Sequence, residues 1–585
     1  MSLILGLNAF HGDASACIFR DGVMVAAAEE ERFLRIKHWA GFPAEAIRYC
    51  LQEAGATLAD VDHIALNQDG RANLARKVAY TLRQRPDISM VLDRLRNKRK
   101  RTGAAQQLAK AFPGTQFRGQ IHGIEHHVAH LSSAFHVSPF EDAVVVSVDG
   151  FGDFASAAWG VGHGTKIDVA GRVLFPHSLG IFYQAITQFI GFAHYGDEYK
   201  MMGLAPYGKP TFMGAMRQIV ALEDDGSFRL NLDLFRHHRE KVAMEWEGGS
   251  PEFGDLFSDG LIALLGPRRK PDEPLTQRHM DLAHSAQAMY EEAFFHLLGK
   301  LHSRYAMDAI ALSGGCAMNS VANGKVTMRS PFRQVYVQSA AGDAGGAIGA
   351  ALSVWHKLGG KRGPVHDHAY WGPSFSDGAV KALLESRAVE IADAGCQVRH
   401  ADEDALTQET AAAIARGEVV GWFQGRMEWG PRALGNRSIL GDPRRADMKE
   451  RLNLKIKRRE SFRPFAPSVL KEAVPQWFEL DGDVPFMMQV YPIRSDKRAL
   501  IPAVTHVDGS GRLQTVTAHA NPRYHRLISA FRDLTDVPMV LNTSFNENEP
   551  VVCTPAQALD CFLRTRMDLL VLGSFMVTRT PDGPA

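Results

Sequence analysis

Residues 3–29 read LILGLNAFHGDASACIFRDGVMVAAAE, and residues 143–171 read AVVVSVDGFGDFASAAWGVGHGTKIDVAG. Each opens on an apolar run. Each then sets a Gly-Asp pair (Gly12-Asp13 and Gly152-Asp153) near a string of small residues that feeds a second strand. A polar turn follows, Arg20-Asp21-Gly22 in the first copy and Gly162-His163-Gly164 in the second, and leads to a third strand. Two copies of a three-strand meander predict a duplicated α/β domain that binds ligand in the cleft between its halves.

Outward from these repeats, the pattern predicts a helix over 43–55, opened by Pro43 and closed by Gly55. A longer helix is predicted over 280–305. Short buried strands at 307–316 and 334–338 each run into a Gly-rich turn, and a helix follows to about Leu358. The stretch GGKRGPVHDH at 359–368 is Gly-rich and charged and carries a proline, so it reads as a linker. The expected organisation is a domain at 1–358, a linker at 359–368 and a second domain at 369–585.

Composition narrows the class. The chain has 585 residues, 45% hydrophobic and 22% charged, which excludes a disordered chain or a small disulfide scaffold. Its formal charge of +1, from 66 basic and 65 acidic residues, gives no argument for a nucleic-acid or membrane partner. The 6 cysteines are scattered without a C-x-x-C pair, as in a reducing compartment. The N-terminus lacks a basic n-region, and no transmembrane-length apolar run occurs. A cytoplasmic enzyme, monomeric or homodimeric, is the expectation.

Three constellations carry chemistry. In EHHVAH at 125–130, His126 and His130 fall on one helix face, while His127 points elsewhere. Asp149 ends an apolar strand and Asp343 sits in SAAGDAGG, and a carboxylate at such a place needs a partner. Two imidazoles and two carboxylates suit iron, manganese, zinc or a similar divalent ion. Second, Asp149-Gly150-Phe151-Gly152 and Ser313-Gly314-Gly315-Cys316 each follow an apolar strand and could cradle phosphates, together with Asn319; no Walker motif is present. Third, 426–463 is dense in arginine and lysine broken by Pro and Gly, which predicts shaped anion-binding loops. Arg512, Asn542 and Ser544 are plausible additions to it. The run RLRNKRKR at 94–101 reads as a solvated face. His11, on the first Gly-Asp turn, is a candidate general base.

The motifs HGDASACIF, EERFLRIKH, EHHVAHLSSAF, VSVDGFGD, GDEYKMMGLAPYGKP, ALSGGCAMNSVAN and GDAGGAIGAA resemble the N-terminal half of the NodU/CmcH-type O-carbamoyltransferases. GRMEWGPRALGNRSIL, FRPFAPSVL and NTSFNENEPVVCTP resemble the C-terminal half. The resemblance implies an N-terminal domain of the duplicated actin/Hsp70/sugar-kinase (ASKHA) type and an α/β YrdC-like C-terminal domain. It implies that the second makes carbamoyl adenylate from carbamoyl phosphate and Mg2+-ATP, and that the first moves the carbamoyl group to an acceptor hydroxyl on a small molecule or saccharide, as in antibiotic and natural-product biosynthesis. The implied metal ligands are His126, His130, Asp149 and Asp343, with iron the usual metal. The implied substrate contacts are Arg432, Lys457, Arg463, Arg512, Asn542 and Ser544, with Arg432, Lys457 and Arg512 catalytic. His11 and Lys37 are implied near the acceptor. The alternative is a tRNA-modifying enzyme that makes threonylcarbamoyl adenosine.

Overall fold

In a computed structural model the run LILGLN forms strand β1, Leu3–Asn8, buried along its whole length. The residues described are 2–84, 103–240, 242, 244, 245, 249–457, 459, 460 and 462–579; the basic run at 94–101 lies outside them. The chain divides into two compact units, Met1–His366 and Asp367–Ala585.

The first unit holds two five-stranded sheets of one topology. β1 pairs antiparallel with β2 (Ser15–Arg20), and β2 with β3 (Val23–Glu29). On its other side β1 pairs parallel with β4 (His63–Leu66), and β4 with β5 (Gln120–Gly123). The second sheet repeats this arrangement. β6 (Asp142–Gly152) pairs antiparallel with β7 (Ala155–His163), and β7 with β8 (Lys166–Leu174). Between the large strands lie two small hairpins, β9 (Val220–Leu222) with β10 (Phe228–Leu230), and β11 (Met244–Glu245) with β12 (Glu252–Phe253). β13 (Ala309–Ser313) then pairs parallel with β6, and β14 (Gln334–Val337) with β13. Both sheets are therefore a three-strand meander extended by two parallel strands, the duplicated ASKHA-like α/β arrangement.

The central strands β1, β6 and β13 read as near-continuous apolar runs because helices cover them. Helix Ala44–Glu53 buries Ala46, Ile47, Cys50 and Leu51 on one face, and Gly55 follows it at φ 58°. Helix His126–Phe135 follows β5, and helix Gly346–Lys357 follows β14; both are almost wholly buried. They touch backbone to backbone at Gly349, where any side chain would overlap the Ala129 carbonyl and press on Ser133 N.

Much of the predicted linker is held by the first unit. Trp355 Nε1 donates to Lys361 O (2.7 Å), Arg362 donates to the carbonyls of Phe135 (2.6 Å) and Ser138 (2.7 Å), and His366 N donates to Val137 O (2.9 Å). The Arg362 guanidinium thus joins Ser138 N and Oγ at the Phe135 carbonyl, where helix His126–Phe135 ends.

The second unit is a nine-stranded mixed sheet. Its strands are β15 (Cys396–His400), β16 (Val420–Phe423), β17 (Arg437–Gly441), β18 (Ala466–Leu470), β19 (Gln489–Pro492), β20 (Ser510–Val516), β21 (Met539–Ser544), β22 (Leu569–Leu572) and β23 (Phe575–Arg579). Their spatial order is β15-β23-β22-β16-β17-β21-β18-β20-β19. Helices Glu403–Ala415, Pro522–Thr535 and Pro555–Arg564 supply buried Leu406, Phe531 and Phe562 to a core that contains Trp422 and Phe545.

Gly349→Ala tests the helix contact that joins the two repeats. It should destabilise the first unit by about 1–3 kcal/mol, the usual cost of overpacking, read by denaturant unfolding.

Candidate active sites

The first site gathers at the ends of buried elements. Glu125 caps helix His126–Phe135 by accepting Val128 N (3.0 Å), which starts the helix just ahead of His126. The i, i+4 spacing then sends His126 and His130 to the same side, with Nε2 atoms 3.0 Å apart. Asp149, near the end of β6, brings Oδ2 to 3.1 Å from His126 Nε2 and 3.2 Å from His130 Nε2. Asp343, in the turn before helix Gly346–Lys357, brings Oδ1 to 3.5 Å from both. Asp149 Oδ1 accepts Gly315 N (3.0 Å), so the Gly-rich turn after β13 fixes its rotamer.

One donor atom from each of His126, His130, Asp149 and Asp343 lies within 4.8 Å of every other. Donors that share one cation at about 2.0–2.2 Å stand roughly 3.0–3.5 Å apart, so this spacing fits a divalent ion. The electrostatics agree. Burial alone raises Asp149, but the hydrogen bonds and charges of His126 and His130 outweigh it and hold the carboxyl well below the usual range. Burial alone lowers His126, but the Asp149 hydrogen bond and the Asp343 charge raise it to about 10. Two acids and two bases enclosed together hold positive charge as protons when no cation is there.

The neighbouring residues position this cluster. His127, on the other helix face, meets Ser147 Oγ at 3.0 Å, and burial with the His126 charge lowers it to about 4. A side chain at Gly152 would overlap the His126 ring, so Gly152 packs against a ligand. This departs from the predicted phosphate cradle. Asn319 departs likewise: its Oδ1 accepts Ala322 N (3.0 Å) and its Nδ2 donates to Gln287 (2.9 Å), so the amide caps a short helix. Gly314, at φ 87°, crosses Val148 O too closely for any side chain. Ser313 is buried, while Gly150 has open space where a side chain would stand.

His11 is half-buried, its ring centroid 5.3 Å from that of His126 and its Nε2 3.3 Å from Gln68 Oε1. Lys37 is exposed, on the loop that follows helix Glu31–Leu34. Asp153, Tyr195 and Glu198 were not among the candidate site residues. Asp153 Oδ2 accepts His126 N (3.0 Å) and Asp69 N (2.7 Å). Tyr195 abuts Gly12 and stacks on Phe253, with centroids 5.7 Å apart. Burial pushes Glu198 up to about 7.

The second site lies in the second unit. β20 places Arg512, whose Nε is enclosed with no hydrogen-bond partner. Burial first, then the like charges of Arg432, Arg459 and Arg463, push its guanidinium well below the usual arginine range. Three guanidinium groups thus bear on a fourth, with Arg463 also 3.6 Å from Glu460, a concentration of positive charge suited to an anion. Asn542, on β21, donates to Ala433 O (3.0 Å) and Ser468 Oγ (2.9 Å), which ties the loop after Arg432 to the sheet.

Other basic residues have different tasks. Lys457 Nζ donates to Ser544 O (2.6 Å), Asn546 O (2.7 Å) and Asn546 Oδ1 (2.7 Å), so it holds the 544–546 turn. Arg437 is fully buried, spends its guanidinium on the carbonyls of Gln424 (2.5 Å) and Pro373 (2.9 Å), and stacks on Phe423. Arg444 and Arg445 pair with Asp442 (2.8 Å) and Asp447 (3.0 Å). The anion-facing set is thus smaller than the basic stretch predicted, and it includes Arg459, which the sequence reading did not single out as a site residue.

Comparison with known proteins agrees with both halves. A family described as Carbamoyltransferase N-terminus matches residues 3–352, and one described as Carbamoyltransferase C-terminus matches 411–579. The nodulation protein NolNO of Sinorhizobium fredii is 39% identical over 99% of this chain and 80% of its own. The 3'-hydroxymethylcephem-O-carbamoyltransferase of Amycolatopsis lactamdurans is 37% identical over 40% of this chain and 42% of its own. Among solved structures, HypF of T. kodakarensis aligns with 61% of this chain and 48% of its own at 13% identity, with a TM-score of 0.31.

Because imidazole must lose its proton to ligate, cation uptake at neutral pH should release protons, seen as a buffer-dependent heat in calorimetry, and affinity should fall as pH falls. His130→Ala should cut bound Co2+, followed by its visible absorption, by about 10–100-fold or more.

Proposed function

The chain belongs to the carbamoyltransferase family, and on that premise we propose that it is an ATP-dependent O-carbamoyltransferase in which two centres of opposite charge preference divide the reaction. In the second unit, read as YrdC-like, water splits carbamoyl phosphate into phosphate and carbamate, and a carbamate oxygen then attacks the α-phosphorus of Mg2+-ATP, giving carbamoyl adenylate and expelling pyrophosphate. In the first unit the carbamoyl group passes to a hydroxyl of a small molecule or saccharide, and AMP leaves. The observation that carries this reading is Arg512 on β20, enclosed and facing the like charges of Arg432, Arg459 and Arg463, a setting that suits a polyanion.

Carbamoyl phosphate and ATP repel each other. The arginines offset that charge and hold both in reach, and the Lys457 and Asn542 bonds keep the surrounding loops shaped to receive them. In the first unit, His126, His130, Asp149 and Asp343 would hold a divalent cation, with Fe2+ favoured by the family resemblance and Mn2+ or Zn2+ also suited to the donors. When bound, that cation supplies charge neutralisation at the phosphate of the adenylate. The acceptor oxygen attacks the carbamoyl carbon, the bond from that carbon to the AMP oxygen breaks, and His11 takes the hydroxyl proton. Lys37 is read as a further group at the acceptor end.

The discriminating experiment mixes the protein with ATP and carbamoyl phosphate and measures pyrophosphate. Release should require carbamoyl phosphate, and threonine with bicarbonate should not replace it; the opposite pattern would favour threonylcarbamoyl chemistry. Arg512→Ala should lower pyrophosphate release by about 10²–10³-fold. His130→Ala should keep that signal and lose carbamoyl transfer. Loss of both activities in both variants would overturn the division of labour.

A further inference from the structure

The Gly-Asp turn occurs in both repeats, and its aspartate does different work in each. Asp13 and Asp153 both adopt left-handed backbone, at φ 56° and 48°. Asp153 holds the backbone of His126. Asp13 instead reaches a separate loop: its Oδ1 stands 2.7 Å from His38 Nδ1. Two backbone bonds join the same pair of loops, Ala14 N to Trp39 O (2.9 Å) and Phe10 N to Gly41 O (2.9 Å). The loops carry His11 and Lys37, the two residues read as serving the acceptor.

Both loops are strained. Phe10, Arg35 and His38 join Asp13 in the left-handed region, at φ 65°, 61° and 53°. Non-glycine residues stay there only where surroundings impose it, and such positions gather at functional sites. The far side of His38 is fitted as closely. Its ring stands edge-on to Tyr195, with centroids 5.3 Å apart at 81°, and a side chain at Gly196 (φ 85°) would overlap it.

We propose that Asp13 and His38 form a positioning clasp that holds His11 and Lys37 in register beside the cation cluster. The proposal rests on the reading of His11 and Lys37 as acceptor-end residues. Asp13, His38 and Glu31 approach closely enough to hold a cation. Their donors are already engaged, however: Glu31 accepts His38 N (2.8 Å) and pairs with Arg32 (2.9 Å), and His38 is bonded to Asp13. The set is an ion-pair network.

The groups that face His38 are Asp13, Glu31, Glu198, Lys37 and Tyr195, with Arg32 bearing on Asp13. Burial lowers His38, and the Asp13 charge and hydrogen bond with the Glu31 charge outweigh it and raise it to about 9. The imidazolium therefore closes the clasp at neutral pH, and the clasp weakens as pH rises through that value.

The test uses the full chain with Asp13→Asn and His38→Gln, and glycerol as the surrogate hydroxyl acceptor. Carbamoyl-phosphate-dependent pyrophosphate release should match wild type in both. Glycerol-dependent AMP release should fall about a hundredfold in kcat, the scale of a misplacement near 1 Å. The alkaline limb of that AMP-release profile should move to lower pH in Asp13→Asn, which generalised damage would not cause. Wild-type transfer in both variants, loss of pyrophosphate release together with transfer, or an unmoved limb would overturn the clasp. An NMR titration of His38 reads it independently of activity. A value near 9 in wild type that drops towards the ordinary histidine range in Asp13→Asn supports the clasp, and an ordinary value in wild type overturns it. If wild type itself releases no pyrophosphate, the activity reading fails while this titration still decides the clasp.

Discussion

Two imidazoles and two carboxylates enclosed around a single point form a constraint that the rest of the first unit is built to satisfy. Uncompensated burial of two carboxylates is costly, and the cost falls only if positive charge stays between them. Each ligand is fixed by something else. Glu125 starts the helix ahead of His126, Gly315 N–H holds Asp149, and Asp343 stands immediately before helix Gly346–Lys357. The close crossing at Gly349 and Ala129 locks the helix that carries the histidines against the helix that follows Asp343. A change at that crossing reaches the cluster without touching a ligand.

Duplication explains how such a site can be assembled. Both sheets have the same pairing, and both present a turn after the first strand and a buried helix after the fifth. The corresponding positions have diverged. Asp149, late in β6, faces the histidines, while Asn8, which ends β1, is consumed by the carbonyls of Gly12 and Asp13 and by Asn67. One copy of the turn carries a ligand, and the other shapes the loop that presents His11.

What could be read from the sequence follows from the range of the signal. The i, i+4 histidines and the repeated meander are local patterns, and local geometry decides where such residues point. The roles of His38, Tyr195 and Gly196 were not legible because they depend on left-handed residues in two loops and on a third segment folding over them. In the basic stretch, residue type identified the charge but not its partner. Arg437 resembles its neighbours in the sequence and spends its guanidinium on main-chain carbonyls. Asn319 resembled a phosphate contact because it follows a Gly-rich turn, yet its amide is used by the next helix and by Gln287. Composition marked 359–368 as a linker but could not show what holds it: Arg362 finds carbonyls at a helix end.

The near-zero net charge hides two concentrated and opposite demands. The cation cluster gathers two carboxylates, and the Arg512 cluster gathers guanidinium groups. Each arrangement opposes folding by itself, because like charges are brought together and partly removed from water. Each would gain from its counter-charge, a cation beside the carboxylates or an anion beside the guanidinium groups, so part of the free energy spent on gathering these groups would return as affinity for a ligand. A protein built this way keeps its overall charge balanced for solubility while its two centres remain poised for opposite ions. Within the basic stretch, Arg444, Arg445 and Arg437 are spent on carboxylates and carbonyls, whereas the like charges of Arg432, Arg459 and Arg463 bear on Arg512.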